Sequence, residues 1–459
     1  MMRIRSSLQL PYILKKINVF FERAGFEAYL VGGAVRDMLM NKDVSDFDIA
    51  TNAKPNQVMS IFKKVIPTGI EHGTVTVIFQ GEHIEVTTFR TEKDYSDGRH
   101  PDNIEYAATI EEDLSRRDFT MNAIAANLRN GSIVDPFDGR HDIKIKLIRC
   151  VGNPLERFNE DGLRPIRALR FASVLGFDIE SKTLEAIPAS LKITEKIAVE
   201  RFHDELLKML KSPVPSVGLR LMEQTGIMKI FLPELCECRG VMQKGFHNFD
   251  VLDHLYYSCD GTDNNNINVR LAALFHDVGK PSVSALGNDG VYTFYQHEAV
   301  SAAMTQKILE RLHFSRQTIT YVCHLIKNHM FFYEPHWTDA AVRRFLVRIK
   351  YSEYENVLED LFELRRGDLF GMNRIVPPSN QLLEFQKRIE SVLENDNALS
   401  LKDLDINGRD LMKIGIPSGK NIGIVLNELF ETVLDDPSMN IKEKLLEVAE
   451  NFYETRLKN

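Results

Sequence analysis

The spacing of hydrophobic residues changes along this chain from a strand-like to a helix-like period. Up to about residue 140, short β-rich runs at 73–79 and 83–89 alternate with helical stretches. Farther along, the helical period is clear at 163–175 and 206–222, and the Asn-rich segment 260–268 is predicted to be an exposed loop. The pattern predicts an α+β protein with a small mixed α/β head at 1–140, an all-helical neck at 141–225, a helical domain at 226–375 and a helical tail at 376–459.

Composition is typical of a multidomain enzyme but does not identify one. The chain has 459 residues, which is longer than a domain with a single hydrophobic core usually is, so more than one domain is expected. Its formal net charge is -8, so a nucleic-acid partner would have to meet a local basic surface, for which Arg343-Arg344 and Arg365-Arg366 are candidates. The five cysteines are sparse and are predicted to be reduced thiols.

The distribution of apolar residues also bears on membranes. No apolar run approaches the roughly 20 residues needed to span a bilayer. The N-terminus lacks an apolar signal core before a small-residue cleavage site. We therefore expect a cytoplasmic protein without a membrane partner.

The segment from Leu30 to Asp37 places two adjacent glycines between an apolar strand and a helical stretch. Glycine lets backbone N–H groups approach an anion without a Cβ in the way, and the start of the helix adds positive potential. Arg36 supplies a further charge one turn into the helix. Gly33 and Arg36 are therefore predicted to contact phosphate.

Asp46 and Asp48 follow soon afterwards and lie two residues apart on a predicted strand. Both carboxylates should project from one face, while Phe47 points into the core. Mg2+ is held in proteins by one or two carboxylates together with phosphate oxygens and water. Each motif alone is commonplace, but their order and close spacing favour transfer of a nucleotidyl or phosphoryl group from a triphosphate. Glu85, on a later strand, is a candidate third carboxylate or an ordinary exposed strand residue.

Together the two motifs resemble the catalytic head of the DNA polymerase β-like nucleotidyltransferases. More narrowly, they resemble the class II branch, which contains bacterial CCA-adding tRNA nucleotidyltransferases and poly(A) polymerases. The resemblance implies template-independent addition of C, C and A to tRNA 3′ ends from CTP and ATP, by a two-metal mechanism with Mg2+. The polar segment 89–101 is similar to the flexible loop of full CCA-adding and A-adding enzymes, although an ordinary surface loop would have the same composition.

Arg117 lies in a charged cluster that runs into an apolar stretch of small residues. Its guanidinium is a fork of donors suited to phosphate oxygens, so we predict that it binds the triphosphate or the sugar. Asp118 and Asn122 would hold that arginine or reach the ribose. The alternative is a helix cap with surface ion pairs.

Asp161 and Arg164 match the Glu-Asp-x-x-Arg motif that reads the base in the family resembled here. Cytosine and adenine both present an amino donor beside a ring-nitrogen acceptor, so Asp161 can accept and Arg164 can donate to either base. Arg167 and Arg170 follow at three-residue steps and are predicted to add positive charge for the triphosphate. The alternative is an amphipathic helix with solvated arginines.

Two neighbouring features bear on this motif. Gly162 and Pro165 are poor residues for a helix interior, so the helix is predicted to start or bend there. The charged segment 200–207 resembles a further motif of the family, an ion-paired helix that braces the neck against the head. We predict a structural role for it.

Histidines concentrate in the second half of the chain, where eight of the thirteen fall between His247 and His336. A His-Asp pair after an apolar helix, with more histidines on other helices, is typical of a divalent-metal site. The segment looks like an HD-type phosphohydrolase domain, whose pattern is matched by His254, His276, Asp277, His297, His329 and Asp368. Such ligands would hold one or two divalent ions and activate water against a phosphate ester. In the family resembled here, such domains are hydrolases of 2′,3′-cyclic phosphates and related RNA ends or inactive braces.

These interpretations combine into a CCA-adding enzyme with an HD domain, acting on tRNA with CTP and ATP. Within the same chemistry, the alternative is an A-adding enzyme or a poly(A) polymerase. An alternative of another class is a metal-dependent phosphohydrolase with an RNA-binding head. The oligomeric state stays open.

Overall fold

A computed structural model describes residues 7–93, 103–243, 248–287, 292–375, 378, 380–395 and 399–458. It divides the chain into two compact units, Met1–Cys236 and Glu237–Asn459. The predicted α+β fold is confirmed, because a mixed head is followed by a helical remainder. The finer division into head, neck, helical domain and tail stays a prediction.

A mixed β-sheet is the frame of the first unit. The strands of this unit are β1 (Ala28–Val31), β2 (Asp48–Thr51), β3 (Val65–Gly69), β4 (Thr74–Phe79), β5 (Glu82–Thr88), β6 (Arg90–Lys93), β7 (Asn103–Tyr106), β8 (Ala125–Asn127), β9 (Ile133–Val134), β10 (Leu147–Ile148) and β11 (Asp178–Ile179). The sheet has the order β3-β4-β5-β2-β1-β8-β9, in which β2 and β5 are parallel and the other neighbours are antiparallel. β10 pairs with β11 in parallel.

The segment predicted to be a flexible loop, 89–101, is partly a strand. β6 pairs with β7 in antiparallel register. Phe89, just before β6, is buried against the head. The loop prediction therefore concerns only the residues after Lys93, and 94–101 lie outside the described part of the chain.

Helices cover the sheet and form the rest of the first unit. They are α1 (Tyr12–Arg23), α2 (Gly33–Leu39), α3 (Pro55–Ile61), α4 (Ile110–Ser115), α5 (Gly139–Ile145), α6 (Pro154–Glu160), α7 (Leu163–Leu175), α8 (Ser181–Ala189), α9 (Leu191–Thr194), α10 (Val199–Leu210), α11 (Pro215–Thr225), α12 (Ile227–Phe231) and α13 (Pro233–Cys236). α7 packs against both α10 and α11.

The alternation of side chains along the central strands gives the sheet two buried faces. Leu30 and Ile49 share one hydrophobic cluster with residues of α1. Val31 and Ala50, the next residue on each strand, belong to a second cluster that includes Leu114 of α4. Burial on both faces fixes the register of β1 and β2, because a shift of one residue would exchange the two faces. It thereby fixes the position of Asp48 at the start of β2.

The second unit is helical apart from a short hairpin. Its elements are α14 (Val251–Asp260), α15 (Ile267–Phe275), α16 (Lys280–Val283), β12 (Ala285–Leu286), β13 (Tyr292–Thr293), α17 (His297–Arg311), α18 (Arg316–Asn328), α19 (Asp339–Arg348), α20 (Val357–Asn373), α21 (Asn380–Asn395), α22 (Gly408–Lys413), α23 (Lys420–Asp435) and α24 (Lys442–Phe452). α15 packs against α14, α18 and α20, whereas α22, α23 and α24 share a separate hydrophobic core. Among the described residues, no helix combines the length and apolar character that a membrane crossing requires.

Candidate active site

Gly32 forms the turn between β1 and α2. Its backbone has φ 71° and ψ -138°, a conformation that only glycine adopts readily. A Cβ at this position would lie 3.1 Å from Nη1 of Arg117 and 3.8 Å from Oδ2 of Asp48. A Cβ at Gly33 would lie 3.4 Å from Nη2 of Arg36. The two glycines therefore let two guanidinium groups and a carboxylate approach the same stretch of backbone.

Three carboxylates lie near the start of β2, in the middle of the sheet and beside this turn. Asp46 and Asp48 are exposed and Phe47 between them is buried, although β2 begins only at Asp48. Glu85 of β5 is the register partner of Asp48. The protein atoms around Asp48 desolvate its carboxylate and raise its pKa, and the charges of Glu85 and Asp46 raise it further against the opposing effect of Arg117. Repulsion between carboxylates is what a divalent cation would relieve.

Asp113 of α4 is fully buried and holds two arginines. Its Oδ1 accepts hydrogen bonds from Nε of Arg116 at 3.0 Å and from the backbone N–H of Arg90 at 3.3 Å. Its Oδ2 accepts from Nη2 of Arg117 at 3.3 Å. Burial raises the pKa of Asp113, but the charges of Arg116 and Arg117 lower it overall. Among the described residues Nε of Arg117 is buried without a hydrogen-bond partner, so this donor is available to a ligand.

A chain of hydrogen-bonded side chains links α2 to α7. Nη1 of Arg36 donates to Oδ1 of Asn122 at 2.8 Å, and Nδ2 of Asn122 donates to Oδ1 of Asp118 at 3.1 Å. The other oxygen of Asp118 accepts from Nε of Arg167 at 2.8 Å. Burial raises the pKa of Asp118, but Arg167 and then Asn122 lower it to about 2. Asp118 and Asn122 thus hold Arg36 and Arg167, whereas the sequence assigned them to Arg117.

The predicted start of the helix at the base-reading motif is confirmed. α6 ends at Glu160, and α7 begins at Leu163. Pro165 therefore lies in the first turn of α7, where a missing N–H costs no intrahelical bond. Gly162 makes the junction fit, because a Cβ there would lie 2.6 Å from the carbonyl oxygen of Ile193.

Asp161 lies between the two helices and is held by α10. Its Oδ1 accepts from Nη1 of Arg201 at 3.0 Å and from the backbone N–H of Leu163 at 3.0 Å. Its Oδ2 accepts from Nη2 of Arg201 at 2.9 Å. This two-pronged pair fixes the plane of the carboxylate. A carboxylate oxygen accepts more than one hydrogen bond, so Oδ2 can still accept from a ligand.

Arg164 is buried and is oriented by other groups. Its Nη1 donates to Oε2 of Glu160 at 2.5 Å and to the carbonyl oxygen of Arg157 at 2.9 Å. Its Nη2 donates to the carbonyl oxygen of Arg116 at 3.0 Å. The guanidinium is therefore fixed before any base arrives. The structure places Asp161 and Arg164 at the same helix junction but pairs each with a different partner.

Arg170 completes the row of arginines on α7. Its Nε donates to Oε2 of Glu205 in α10 at 2.8 Å, and Lys208 lies 3.0 Å from the other oxygen of that carboxylate. The charged segment 200–207 therefore ties α10 to α7 through Arg201 and Glu205. Since Arg167 and Arg170 are both paired with carboxylates, their contact with a triphosphate stays a prediction.

The residues that match the HD pattern converge in the second unit. They lie in or next to five helices: His254 in α14, His276 and Asp277 after α15, His297 at the start of α17, His329 after α18 and Asp368 in α20. All are buried. We call this group the HD cluster.

Short distances separate the ligand atoms of the HD cluster. Nε2 of His254 lies 3.0 Å from Nε2 of His276 and 3.3 Å from Oδ1 of Asp368. Oδ2 of Asp277 lies 3.4 Å from Nε2 of each of these histidines. The ligand atoms fall into two overlapping groups, in each of which all atoms lie within 4.8 Å of one another. One group is His254, His276 and Asp368, and the other is His276, Asp277 and His329.

Backbone carbonyls orient the histidine rings of the HD cluster. In three of these histidines Nδ1 lies within hydrogen-bond distance of the backbone carbonyl oxygen three residues earlier. The distance is 3.0 Å for His276, 2.8 Å for His297 and 2.6 Å for His329. A histidine whose Nδ1–H is bonded in this way presents the lone pair of Nε2 to a metal. Nε2 of His297 and Oδ1 of Asp277 lie 3.1 Å apart, yet neither atom makes a hydrogen bond to a described residue.

Charge is concentrated in the HD cluster. Burial raises the pKa of Asp277, but Lys280 and His276 lower it to well below its usual range. Burial lowers the pKa of His254, but hydrogen bonds to Asp277 and Asp368 raise it overall to about 9. Burial and the charge of His276 lower the pKa of His329 to about 3. Imidazole nitrogens beside ionised carboxylates form a donor set that suits a divalent transition metal.

Three of the four arginines proposed as basic surface are bonded within the second unit, and the basic surface itself stays a prediction. Nε of Arg343 donates to the carbonyl oxygen of Leu434 at 2.7 Å, at the end of α23. Arg344 pairs with Glu431 at 2.9 Å. Arg365 donates to Oδ2 of Asp368 at 2.6 Å and so belongs to the surroundings of the HD cluster.

Fold and site together place the first unit among the nucleotidyltransferases, and residues 28–149 match the "Poly A polymerase head domain". Residues 176–238 match the "Probable RNA and SrmB- binding site of polymerase A", and 292–449 match "tRNA nucleotidyltransferase domain 2". The chain is 35% identical to the CCA-adding enzyme of Lactobacillus johnsonii over 439 residues, 95% of each chain. It is 34% identical to that of Ligilactobacillus salivarius, over 97% of this chain and 96% of the relative. The chain belongs to the CCA-adding enzyme family.

Solved structures agree with this assignment. The CCA-adding enzyme of Bacillus stearothermophilus in complex with CTP has a TM-score of 0.74 to this chain and 28% sequence identity, over 97% of this chain and 98% of that one. The Thermotoga maritima CCA-adding enzyme complexed with tRNA shares the fold, with a TM-score of 0.57, 21% identity and coverage of 96% and 94%.

Proposed function

We propose that the chain adds C, C and A to the 3′ ends of tRNA from CTP and ATP without a nucleic-acid template. The observation that carries this proposal is the convergence of Gly32, Arg117 and Asp48, with Glu85 in register beside Asp48. Membership in the CCA-adding enzyme family supports the choice of product. A cytoplasmic location stays a prediction.

Asp46 and Asp48, with Glu85, would hold Mg2+. The raised pKa of Asp48 supports this assignment, because the neighbouring carboxylates leave negative charge for a cation to balance. When bound, Mg2+ supplies positive charge to the triphosphate and lowers the pKa of the RNA 3′-hydroxyl. The exposed position of Asp46 and Asp48 leaves both carboxylates accessible to the nucleotide and the RNA.

Gly33, Arg36 and Arg117 would bind the triphosphate. The buried Nε of Arg117, which has no hydrogen-bond partner in the described part of the chain, is suited to a phosphate oxygen. Arg36 is oriented by Asn122 and by Asp37. Arginines held in advance lose little entropy when the nucleotide binds.

Asp161 and Arg164 would read the base, with Arg167 and Arg170 adding positive charge. Cytosine and adenine satisfy one acceptor and one donor, whereas guanine and uracil would set donor against donor and acceptor against acceptor, at a cost of about 1–3 kcal/mol or more. The contacts of Asp161 with Arg201 and of Arg164 with Glu160 support a base-reading pair that is rigid before binding.

Replacing one metal-binding carboxylate tests the proposal directly. We expect Asp46→Ala to lose nucleotide addition to tRNA that ends at the discriminator base, with an unchanged circular dichroism spectrum. Asp43→Ala is the matched control, since Asp43 is an exposed aspartate of the same segment. Addition by Asp46→Ala at the rate of the control would contradict the assignment.

We propose as a second function that the HD cluster binds a divalent metal and hydrolyses phosphate esters at RNA ends. The observation that favours it is the set of buried Nε2 and carboxylate oxygens within 4.8 Å of one another. The outward-facing Nδ1 atoms bonded to carbonyls support neutral imidazole ligands.

Metal analysis tests this second function. After incubation with Mn2+ or Ni2+ and gel filtration, we expect about one or two ions per wild-type chain by inductively coupled plasma mass spectrometry. His276→Ala should lose bound metal and phosphodiesterase activity on 2′,3′-cyclic AMP, which opens the cyclic diester to a phosphate monoester. His336→Ala is the matched control, because this exposed histidine pairs only with Glu334 among the described residues. Equal metal content in His276→Ala and the control would argue against a metal site.

A further inference from the structure

A cavity of about 390 Å³ lies beside His297 on one side of the HD cluster. This volume lies within the range of small-molecule sites in proteins. His297 belongs both to the cluster and to the cavity wall. Lys280 also lines the cavity, and its Nζ lies 2.5 Å from Oδ2 of Asp277. The cavity therefore leads to the group of residues to which the second proposed function is assigned.

The inner wall of this cavity has polar groups with unused hydrogen-bond donors. Nε2 of Gln243 is buried without a hydrogen-bond partner in the described part of the chain. Nζ of Lys280 donates to Asp277 and, at 2.6 Å, to Oε1 of Gln243. An ammonium group has three donors, so these two bonds leave one for a ligand. Unpaired buried donors are costly, and an anionic oxygen would satisfy them.

The outer wall of the cavity is aromatic. Tyr295 is 81% exposed and Tyr292 is 44% exposed, so neither ring is held in a hydrophobic core. Phe294 lies between them in sequence, 5.5 Å from Nζ of Lys280. Exposed aromatic rings beside a cationic group are the combination by which proteins bind a nucleobase next to its phosphate. None of the described residues that line the cavity is acidic, although the ammonium group of Lys280 in its wall is paired with Asp277.

We propose that this cavity is a nucleotide subsite, in which Lys280 and Gln243 bind a phosphate group and Tyr295, with Phe294, stacks on the adjoining base. The ligand class is a single nucleotide with a terminal phosphate, as at a processed RNA end. This inference rests on the second proposed function and adds the residues that select its substrate. An isolated phosphate would use only the inner wall, and an isolated nucleoside only the outer one.

Calorimetric titration of the full-length chain tests this subsite. EDTA removes divalent metal, so that the ligand is bound but not hydrolysed. We expect adenosine 3′-monophosphate to bind about tenfold or more tightly than adenosine or inorganic phosphate alone. Any binding of these ligands at the nucleotidyltransferase head is the same in all variants, so it does not contribute to the difference in affinity between wild type and variant.

Two substitutions separate the parts of the subsite. Tyr295→Ala should weaken binding of adenosine 3′-monophosphate about tenfold and leave inorganic phosphate unchanged. Gln243→Leu should weaken both ligands by a similar factor. Tyr12→Ala is the matched control, because Tyr12 is an equally exposed tyrosine at the start of α1 in the first unit. Addition of nucleotides to tRNA should be unchanged in all three.

The outcomes distinguish the subsite from the hydrolase. Equal affinity of wild type and Tyr295→Ala for adenosine 3′-monophosphate would overturn the subsite, as would equal affinity of wild type for the nucleotide and for phosphate. The expected binding losses without any phosphatase activity in the metal-loaded chain would support the subsite and remove the hydrolase. Phosphatase activity with the same KM in wild type and Tyr295→Ala would support the hydrolase and remove the subsite.

Discussion

Buried carboxylates fix the arginines of the first unit. Asp113, Asp118 and Glu205 are each less than a tenth exposed, and each is bonded to at least one arginine. In a poorly solvated position such a pair is costly to break, because the remaining charge loses its partner. The positions of Arg117, Arg167 and Arg170 therefore depend on residues that need not touch a ligand.

Asp118→Asn should destabilise the first unit in a pH-dependent way. The pKa of Asp118 is lowered from its ordinary 3.8 to about 2, so its charge contributes about 2 kcal/mol to the free energy of unfolding at neutral pH. Because the folded pKa is the lower one, this contribution is present above about pH 4 and is lost as the pH falls towards 2. Urea unfolding of wild type and variant at pH 7 and pH 3 measures it. A difference that grows as the pH falls would contradict the account.

Asp113→Asn should raise the KM for ATP and CTP by about tenfold and change kcat less. The substitution removes the charge that holds Arg117 beside Gly32, and a charged hydrogen bond of this kind is worth about 1.5–3 kcal/mol. Steady-state kinetics of nucleotide addition measure the effect. Glu111→Gln, an exposed change in the first turn of the same helix, is the control. A KM equal to that of the control would exclude a positioning role for Asp113.

The residue types of the site could be predicted from the sequence, but their hydrogen-bond partners could not. Asp46 and Asp48 could be proposed from their two-residue spacing, although only Asp48 lies on a strand. The bond between Arg36 and Asn122 joins residues 86 positions apart, which no local pattern encodes. The sequence predicted no role for Asp113. Within a run of acidic residues, a buried aspartate that holds arginines cannot be distinguished from an aspartate exposed to solvent.

The junction of α6 and α7 is the element on which the proposed base selection depends. Asp161 and Gly162 lie between the two helices, and the neighbouring backbone at Ile193 leaves no room for a side chain at Gly162. Gly162 and Pro165 allowed the helix start to be predicted from sequence. The approach of the segment at Ile193 could not be predicted, because it depends on how α9 packs against the junction.

Gly162→Ala should lower the free energy of unfolding of the first unit by about 1–3 kcal/mol. The added Cβ would lie 2.6 Å from the carbonyl oxygen of Ile193 and 2.9 Å from Cα of Thr194, so backbone has to move. Denaturant unfolding measures the loss. Gly423→Ala is the control, since a Cβ at that helical position meets no atom within 4 Å and should stabilise α23 slightly. Similar effects of the two substitutions would show that Gly162 is not tightly packed.

Strand register supplies an observation about Glu85 that sequence spacing could not. Glu85 could be a metal ligand or an exposed strand residue on sequence grounds. The parallel pairing of β2 with β5 sets Glu85 directly opposite Asp48. Pairing between strands this far apart follows from burial on both faces of the sheet, which the local sequence does not reveal.

The two groups of described residues that we propose as metal ligands lie one in each unit. Asp46, Asp48 and Glu85 belong to Met1–Cys236, and the HD cluster belongs to Glu237–Asn459. The order of elements along the chain, strands first and helices afterwards, was predicted correctly because hydrophobic period is a local signal.

Separate sites should be separable by mutation. We expect His276→Ala to lose phosphodiesterase activity on 2′,3′-cyclic AMP and to keep the wild-type rate of nucleotide addition. Asp46→Ala should show the reverse, because it changes only a carboxylate of the head. Both assays are run on the same protein preparations. Loss of both activities in either variant would show that the two sites are not independent.

The most direct test of the central claim is the length of the product on three RNAs. Wild-type protein would be incubated with Mg2+, labelled CTP and ATP, and tRNA ending at the discriminator base, tRNA ending in CC, or unstructured RNA. We expect three nucleotides on the first RNA, one A on the second and none on the third. A single A confined to the CC substrate would mean an A-adding enzyme, and long A tails on any RNA a poly(A) polymerase. No addition to any RNA would contradict the assignment of the head as a nucleotidyltransferase.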